Sequence, residues 1–203
     1  MRKRFWSIPA VLIIAFGIFL LVAYWFSEQD HLVHYRSTCQ SNLKQIDLVI
    51  HMYSQDYDQK LPPAIIGNKS VGWAEALSPY TESMRIFQCP SVKNDWQRNP
   101  NLPGFTDYWM NWNLSGTNQT ELNNLQQIIL SGDGDGDSPE STASYSIIQV
   151  PASWKTSTYS PAKRHLDGAN YAFVDGHVKW LKPEQVSQLP PSKKNPVYTF
   201  SIQ

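Results

Sequence analysis

The chain has 203 residues with 17 basic and 17 acidic side chains, so its formal net charge is zero. This length allows one domain with an appendage and excludes two ordinary domains. The balanced charge lacks the basic excess that is typical of nucleic-acid binding, and we expect no nucleic-acid partner.

An uncharged apolar segment, residues 5–26, follows three basic residues at positions 2–4. It is long enough to cross a bilayer, which needs about 20 residues. Trp6 and Trp25 lie near its two ends, where aromatic rings anchor a span at the membrane interface. Because basic residues precede the span and Glu28 follows it, the positive-inside rule predicts a cytoplasmic N-terminus and an exported domain.

A cleaved signal peptide is the competing interpretation of this segment. Such a peptide has an apolar region of about 7–15 residues followed by small residues at the cleavage site. Here the apolar run is longer, and Tyr24, Trp25 and Phe26 occupy the positions that should be small. The sequence therefore favours an uncleaved single-pass anchor with the remaining chain outside the cytoplasm.

A long helix is predicted to continue out of the membrane, from about Pro9 to about Gln59. Apolar or aromatic residues recur with the α-helical period of about 3.6, and Pro62 and Pro63 forbid continuation. We expect most of this stripe to pack on the chain's own domain, with the membrane half free to contact other subunits. The stripe consists of Leu32, Tyr35, Cys39, Leu43, Ile46, Ile50, Tyr53 and Tyr57.

The segment after Pro63 predicts a compact head with short strands separated by Gly, Pro, Asn and Asp. Residues 71–81 predict a short helix. Strands are predicted within residues 107–114, 125–131, 145–150, 170–175 and 177–181. The last two form a hairpin of half-buried strands, with Asp175-Gly176 as a type I′ turn.

The predicted fold class is therefore α+β, with a long N-terminal transmembrane and amphipathic helix packed on a small antiparallel sheet. The predicted organisation is a basic tip and anchor over residues 1–29, an extracytoplasmic amphipathic helix over 30–61, and a globular head over 62–203.

The chain has two cysteines, Cys39 on the helical stripe and Cys89 in the head. Disulfides persist outside the cytoplasm, and the even count favours a bond between them. In the chain-entropy model a loop of this size would stabilise the fold by about 4 kcal/mol. Two separately buried thiols are the alternative.

Four motifs in order resemble bacterial pseudopilin-like proteins of type II secretion and type IV pilus systems. They are the helix sequence STCQSNLKQIDLVIHMYSQDYDQKLPP, the second cysteine motif FQCPS, the strand YWMNWNLSG, and the segment RHLDGANYAFVDGHVKW. The last is similar to the prepilin-type processing-associated H-X9-DG motif, with His165 followed after nine residues by Asp175 and Gly176. The resemblance spans residues 36–181 and implies a pilin-like fold and an assembly role.

The N-terminus departs from the family pattern. Members usually carry a Gly-Phe-Thr-Leu-Ile-Glu-like cleavage and methylation site, whereas residues 7–16 read SIPAVLIIAF. The departure puts processing by prepilin peptidase in doubt and removes the glutamate that aligns neighbouring subunits. Either the protein is a minor component, or it keeps the fold without the assembly role.

A catalytic role for the histidine-rich segment needs a nucleophile in a recognisable frame. His165 and Asp175 could pair as base and orienting group, with Ser160 as nucleophile, but the sequence shows no nucleophile elbow. We therefore predict no catalytic residues. His165 is expected to brace the hairpin by bonding its backbone or Asp175.

A calcium site is a candidate at GDGDGDSPE, where Asp133, Asp135 and Asp137 alternate as in an EF-hand loop. Ser138 and Ser144 then replace the glycine and glutamate of that motif, so a flexible acidic loop remains the alternative. The family resemblance adds support, since some secretion pseudopilins bind calcium. Linear spacing of His and Cys indicates no zinc site.

The sequence leaves two functions open. The first is a non-catalytic, membrane-anchored pseudopilin-like protein in the bacterial inner membrane, whose partners are the bilayer, other pilin-like subunits or an assembly platform. The second is a tethered extracytoplasmic module that binds polysaccharide or an envelope protein. Trp109, Trp112 and Trp154 could serve as the sugar platform, although Trp109 and Trp112 should point to opposite sheet faces.

Overall fold

The computed structural model describes residues 8–67, 69–93, 96–187 and 198–202. Helix α1, Ile8–Asp56, has 49 residues and joins the apolar segment to the head. By length and composition, it is the one helix in the described ranges that could cross a membrane. Its side chains at residues 11–28 are exposed throughout, so nothing in the head covers this part.

The outer half of α1 packs on the head through the predicted stripe. Leu32 and Tyr57 at the two ends of the stripe are exposed. The helix ends at Asp56 rather than near Gln59, because Asp58 and Gln59 adopt left-handed backbone angles that stop it. The buried members of the stripe are Cys39, Leu43, Ile46, Ile50 and Tyr53.

The head contains nine short strands within the described residues and two short helices after α1. The helices are α2, Trp73–Ala76, and α3, Ala152–Thr156. The strands are β1 (Ile65–Ile66), β2 (Lys69–Gly72), β3 (Tyr108–Asn111), β4 (Ile129–Asp133), β5 (Ser146–Ile147), β6 (Ala169–Phe173), β7 (Val178–Leu181), β8 (Val186–Ser187) and β9 (Tyr198–Thr199). Single 3₁₀ turns cover Ser78–Tyr80, Met84–Phe87, Trp112–Leu114, Gln119–Glu121, Leu125–Gln127, Pro161–Lys163 and Pro183–Gln185.

Five of these strands form the central sheet, in the order β5-β3-β4-β6-β7. The pairs β3–β4, β4–β6 and β6–β7 are antiparallel, whereas β5 joins β3 in parallel. The predicted α+β class, a long helix packed on a small sheet, is confirmed. The sheet departs from the predicted antiparallel pairing in its parallel edge strand β5.

The sheet has a core on each face. On the face toward α1, Tyr108, Met110, Leu130 and Ala172 pack with the helix stripe. The opposite face forms a second core under the later loops and β9, with members including Trp109, Ile129, Tyr171, Phe173 and Phe200. Strand β6 is consequently buried on both faces, not half-buried as predicted, while the edge strand β7 keeps the half-buried pattern.

The β6–β7 hairpin has a different turn from the predicted type I′. The Gly176 N–H donates to the Phe173 carbonyl, which places Val174 and Asp175 at the centre of the turn. Only Gly176 has a positive φ there, at 90°, and Asp175 does not. This is a type I turn followed by a left-handed glycine, a common three-residue hairpin loop. The Asp-Gly pair is thus shifted by one position from its predicted place.

Two leucines on α1 test whether the stripe holds the head together. Leu43 is fully buried, and its replacement by alanine should lower the free energy of unfolding by about 2–5 kcal/mol. Leu48 is 61% exposed on the same helix, and Leu48→Ala should change it by less than about 0.5 kcal/mol. Urea unfolding of the full chain in detergent, followed by tryptophan fluorescence, measures both. Equal effects of the two substitutions would contradict packing through this stripe.

Candidate functional site

The predicted disulfide is present. Cys39 on α1 bonds Cys89 on the loop after the Met84–Phe87 turn, with 5.2 Å between the Cα atoms and both residues buried. The buried Asp107 fixes the loop, because its Oδ2 accepts the Cys89 N–H at 2.7 Å. The disulfide ties the outer part of α1 to the head across a sequence separation of 50 residues.

His165 lies in a tight loop just before β6. Its N–H donates to the Gly168 carbonyl at 2.9 Å, and its own carbonyl accepts the Trp180 indole N–H at 2.6 Å. Leu166 and Asp167, the two residues between His165 and Gly168, both have positive φ. A Cβ on Gly168 would come within 2.4 Å of the Trp180 ring, so the loop requires glycine there.

The His165 side chain is buried, 1% exposed, and its ion-pair contact is with Asp133 rather than Asp175. Its Nε2 lies 3.4 Å from Asp133 Oδ2 and 3.6 Å from Cys89 Sγ. From the sequence, His165 was predicted to bond the hairpin backbone or Asp175. The imidazole lies instead beside the end of β4 and the disulfide, and His165 is hydrogen-bonded to the hairpin through its backbone carbonyl.

Asp133 is the other charged group of this cluster and is 1% exposed. Its Oδ2 also accepts the Asn170 N–H at 2.6 Å, whereas its Oδ1 is buried and has no hydrogen-bond partner among the described residues. Beside it, burial and then the charge of Asp133 raise the pKa of the Tyr108 hydroxyl well above its usual value. Tyr108 therefore stays neutral and accepts a hydrogen bond from Asn42 Nδ2.

The three aspartates of the candidate calcium loop lie in different environments. Asp133 is buried in β4, Asp135 is partly buried, and Asp137 is exposed. Asp135 Oδ1 accepts the Asp137 N–H, which makes a local turn. Asp133 Oδ2 contacts His165 and Asn170, whereas the sequence pattern predicted that it would bind calcium together with Asp135 and Asp137. Calcium binding by these residues stays a prediction.

The side chains that the structure does bring together as possible metal ligands come from four separate segments. One ligand atom from each of Cys39, Cys89, Asp133 and His165 lies within 4.8 Å of the others, and all four residues are buried. Within the described residues, this is the one cluster of His, Cys, Asp or Glu side chains close enough to share a metal ion. It includes neither Asp135 nor Asp137. Sequence spacing could not find it, because no two ligands share a local motif.

The geometry argues against nucleophilic catalysis at this cluster. In a triad one ring nitrogen of histidine faces the nucleophile while the other faces the orienting carboxylate. Here the same Nε2 faces both Asp133 and Cys89, and Cys89 is bonded to Cys39. All four residues of the cluster are buried.

The Asp175-Gly176 end of the motif lies against α1. A Cβ on Gly176 would lie 3.2 Å from Asp47 Oδ2, so the hairpin tip approaches the helix closely. Asp47 is 4% exposed, its Oδ2 lies 3.6 Å from His51 Nε2, and its Oδ1 is buried without a partner among the described residues. Asp175 pairs with His177 at 2.6 Å. Asp47 was not predicted from the sequence, although a charged residue directly after the stripe residue Ile46 was a signal for it.

The tryptophans considered as a sugar platform lie in different environments. Trp109 is fully buried and donates to the Asp133 carbonyl, whereas Trp112 is 43% exposed. Trp154 is partly buried and lines an open cleft of 390 Å³ together with Asp135, Asp137, Tyr159 and Arg164. Trp25 is exposed and packs edge-on against Phe26. Trp6 lies outside the described residues.

Comparison with known proteins gives one family. Residues 36–121 match a family described as a protein of unknown function, DUF1559. The match covers less than half of the chain and includes Cys39, Cys89 and strand β3. Neither the comparison with curated proteins nor that with solved structures found a match. The chain is thus similar to DUF1559 proteins over the outer part of α1 and the first half of the head.

The contact between α1 and the hairpin tip predicts a pH dependence of stability. Burial first, and then the charge of Asp175, raises the pKa of Asp47 from 3.8 to about 7. The folded chain therefore keeps a proton that the unfolded chain releases, so this group's contribution is complete below pH 3.8 and is lost as pH rises toward 7. Burial lowers the pKa of the facing His51 from its ordinary value of 6.5. The contribution of His51 to stability is therefore lost as pH falls below 6.5, which opposes the trend set by Asp47.

Replacing Asp47 with asparagine isolates the carboxyl contribution. The variant should be more stable than the wild type at about pH 8, and the difference should shrink as pH falls to about 4.5. Urea unfolding of both chains at the two pH values measures the difference. Asp175→Asn removes the second cause of the shift and should reduce the same pH dependence in part. A difference between wild type and Asp47→Asn that is constant with pH would contradict the assignment.

Proposed function

We propose that this chain is a non-catalytic, membrane-anchored, pseudopilin-like protein that assembles with other pilin-like subunits or with a secretion or pilus platform. The observation that carries the proposal is the continuity of α1. At about 1.5 Å per residue its 49 residues reach about 74 Å. One half is apolar and exposed, and the other half forms part of the head core. A head alone does not require the first half.

The exposed half needs a partner of low polarity. Residues 11–28 are exposed and apolar apart from the last few, and burying apolar surface is favoured by about 25 cal/mol per Å². A lipid bilayer and the equivalent helices of other subunits both provide such a surface. The proposed location is the bacterial inner membrane, with a single pass, the N-terminus inside and the head outside.

Three motifs of the resemblance have structural roles that fit a pilin-like head. The helix motif supplies the stripe and Cys39, the second motif supplies Cys89, and the H-X9-DG motif fixes the hairpin at both ends. The similarity of residues 36–121 to DUF1559 covers the first two. The motifs therefore act on the packing of head against helix, which an assembly protein needs to present a rigid surface.

The missing Gly-Phe junction and glutamate limit the assembly role. A glutamate within the apolar span would be costly unless paired with a neighbouring subunit, and it therefore sets the register of packing. This chain has no charged residue between Phe5 and Phe26. We propose a minor component whose register is set by its head and its partners rather than by a buried carboxylate.

A tethered binding module is the second candidate, and the open cleft favours it. The cleft combines Trp154 and the 97% exposed Tyr159 with the charged side chains of Asp135, Asp137 and Arg164. Exposed aromatic rings beside planar polar groups suit a saccharide, since the ring stacks and the polar groups hydrogen-bond. Calcium at Asp135 and Asp137 would be compatible with either candidate.

Cysteine cross-linking in membranes separates the two candidates. Single cysteines are introduced at successive positions from Val11 to Phe26, while Cys39 and Cys89 stay bonded to each other. In an assembly, oxidation should give dimers that recur every three to four positions, because one helix face meets the neighbour. Tyr159→Cys, on the exposed head surface, is the matched control for random collision and should give few dimers.

Two outcomes would count against assembly. Monomers at every position would favour the tethered module, and binding of the purified chain to polysaccharide, weakened by Trp154→Ala, would then be expected. Equal cross-linking at every position, including Tyr159→Cys, would indicate crowding without a specific interface. Heteromeric bands with helix periodicity would support assembly with other pilin-like subunits.

A further inference from the structure

The buried cluster of Cys39, Cys89, Asp133 and His165 has a possible second chemical state. We propose that reduction of the disulfide converts this cluster into a tetrahedral site for a zinc ion. The four ligand atoms already lie within 4.8 Å of one another and are shielded from solvent. Two thiolates, an imidazole and a carboxylate form a donor set of the type that zinc takes in proteins.

The distances fit a tetrahedron around zinc. With bonds of about 2.3 Å to sulfur and 2.0–2.2 Å to nitrogen and oxygen, the tetrahedral edges are about 3.6 Å for S–N and about 3.4 Å for N–O. The measured distances are 3.6 Å from Cys89 Sγ to His165 Nε2 and 3.4 Å from His165 Nε2 to Asp133 Oδ2. Two edges of the site therefore exist before any metal enters.

The orientation of His165 supports a metal rather than a hydrogen-bond relay. Its Nε2 points between a sulfur and a carboxylate oxygen, which is where a shared cation would lie. Asp133 Oδ2, the oxygen that faces His165, also accepts the Asn170 N–H, while the buried Oδ1 has no hydrogen-bond partner among the described residues. The backbone N–H fixes the orientation of the carboxylate, and Oδ2 keeps a second lone pair for a metal.

The conversion balances in electrons and charge. A dithiol reductant gives two electrons to the Cys39–Cys89 bond, which breaks to two thiols while the reductant becomes a disulfide. Zinc then replaces the two thiol protons, which are released to solvent. One Zn²⁺ with two thiolates adds no net charge, so the buried cluster keeps the same total charge as in the disulfide form. The two sulfurs separate to about 3.8 Å, the S–S edge of the tetrahedron.

Zinc fits better than the other abundant divalent cations. Calcium takes six to eight oxygen ligands, and magnesium takes an octahedron of oxygens. Thiolate donors select zinc or softer ions instead. The metal would connect α1, the Cys89 loop, the end of β4 and the loop before β6. Reduced chains would thus keep the same cross-link between helix and head that the disulfide provides in oxidised chains.

Cobalt provides a spectroscopic probe for the site. The full chain in detergent is reduced with a phosphine and titrated with Co²⁺, which absorbs visibly when bound tetrahedrally by thiolates. We expect one Co²⁺ per reduced chain, displacement by one equivalent of Zn²⁺, and no such absorption with the oxidised chain. A higher melting temperature of the reduced chain with Zn²⁺ than with chelator gives an independent readout.

Two variants test whether His165 and Asp133 are ligands. His165→Ala and Asp133→Asn should each weaken Co²⁺ binding by about tenfold or more and lose the tetrahedral spectrum. His177→Ala is the matched control, because His177 belongs to the same hairpin but pairs with Asp175 outside the cluster. It should bind Co²⁺ as the wild type does. Tryptophan fluorescence and circular dichroism check that each variant is folded.

Three results would overturn the proposal. The first is a reduced wild-type chain that gives no tetrahedral cobalt spectrum and no zinc-dependent rise in melting temperature. The second is unchanged binding by His165→Ala, which would show that the imidazole is not a ligand. The third applies if reduction unfolds the head: zinc should then restore the folded spectrum, and failure to do so ends the idea.

Discussion

The packing of one face of α1 on the central sheet is the interaction on which the rest of the head depends. Leu43, Ile46 and Ile50 are fully buried there against strands that the chain supplies much later. Each fully buried aliphatic side chain contributes about 1.5–3 kcal/mol relative to its exposed state. The polar attachments are arranged around this apolar face and fix its orientation.

Those attachments explain the spacing of the H-X9-DG motif. His165 lies at the level of Cys39, and Gly176 lies at the level of Asp47, two turns further along α1. Eight helical residues span about 12 Å. The chain covers a comparable distance with the Gly168 turn and the extended strand β6, which runs along the helix. The nine intervening residues are therefore the length of one strand and its entry loop.

The sequence was informative where a local pattern decides the structure. Helix period, turn residues and apolar runs located α1, the five strands of the main sheet and the α+β class. The parallel pairing of β5 and the burial of β6 on both faces depend on strand order, which no local pattern contains. The hairpin turn was misplaced by one position, because Asp-Gly also fits a type I turn followed by a left-handed glycine.

The candidate site was less predictable for the same reason. Cysteine count and compartment predicted the Cys39–Cys89 pair, and a family motif singled out His165. The contact of His165 with Asp133 joins residues from separate strands and loops, so it follows from β4 and β6 being neighbours. Asp133 had been grouped with Asp135 by spacing alone, whereas in a strand end the side chain direction is set by the sheet.

The late position of β6 and β7 in the chain delays the burial of the apolar face of α1 during synthesis. The apolar face of α1 emerges first, but its covering strands end only at Leu181. At the usual synthesis rate of 5–20 residues per second, the face stays open for about 6–25 seconds. During that interval the apolar face of α1 is accessible to other apolar surfaces. The helix face is thus buried only when the head folds, after β6 and β7 have been synthesised.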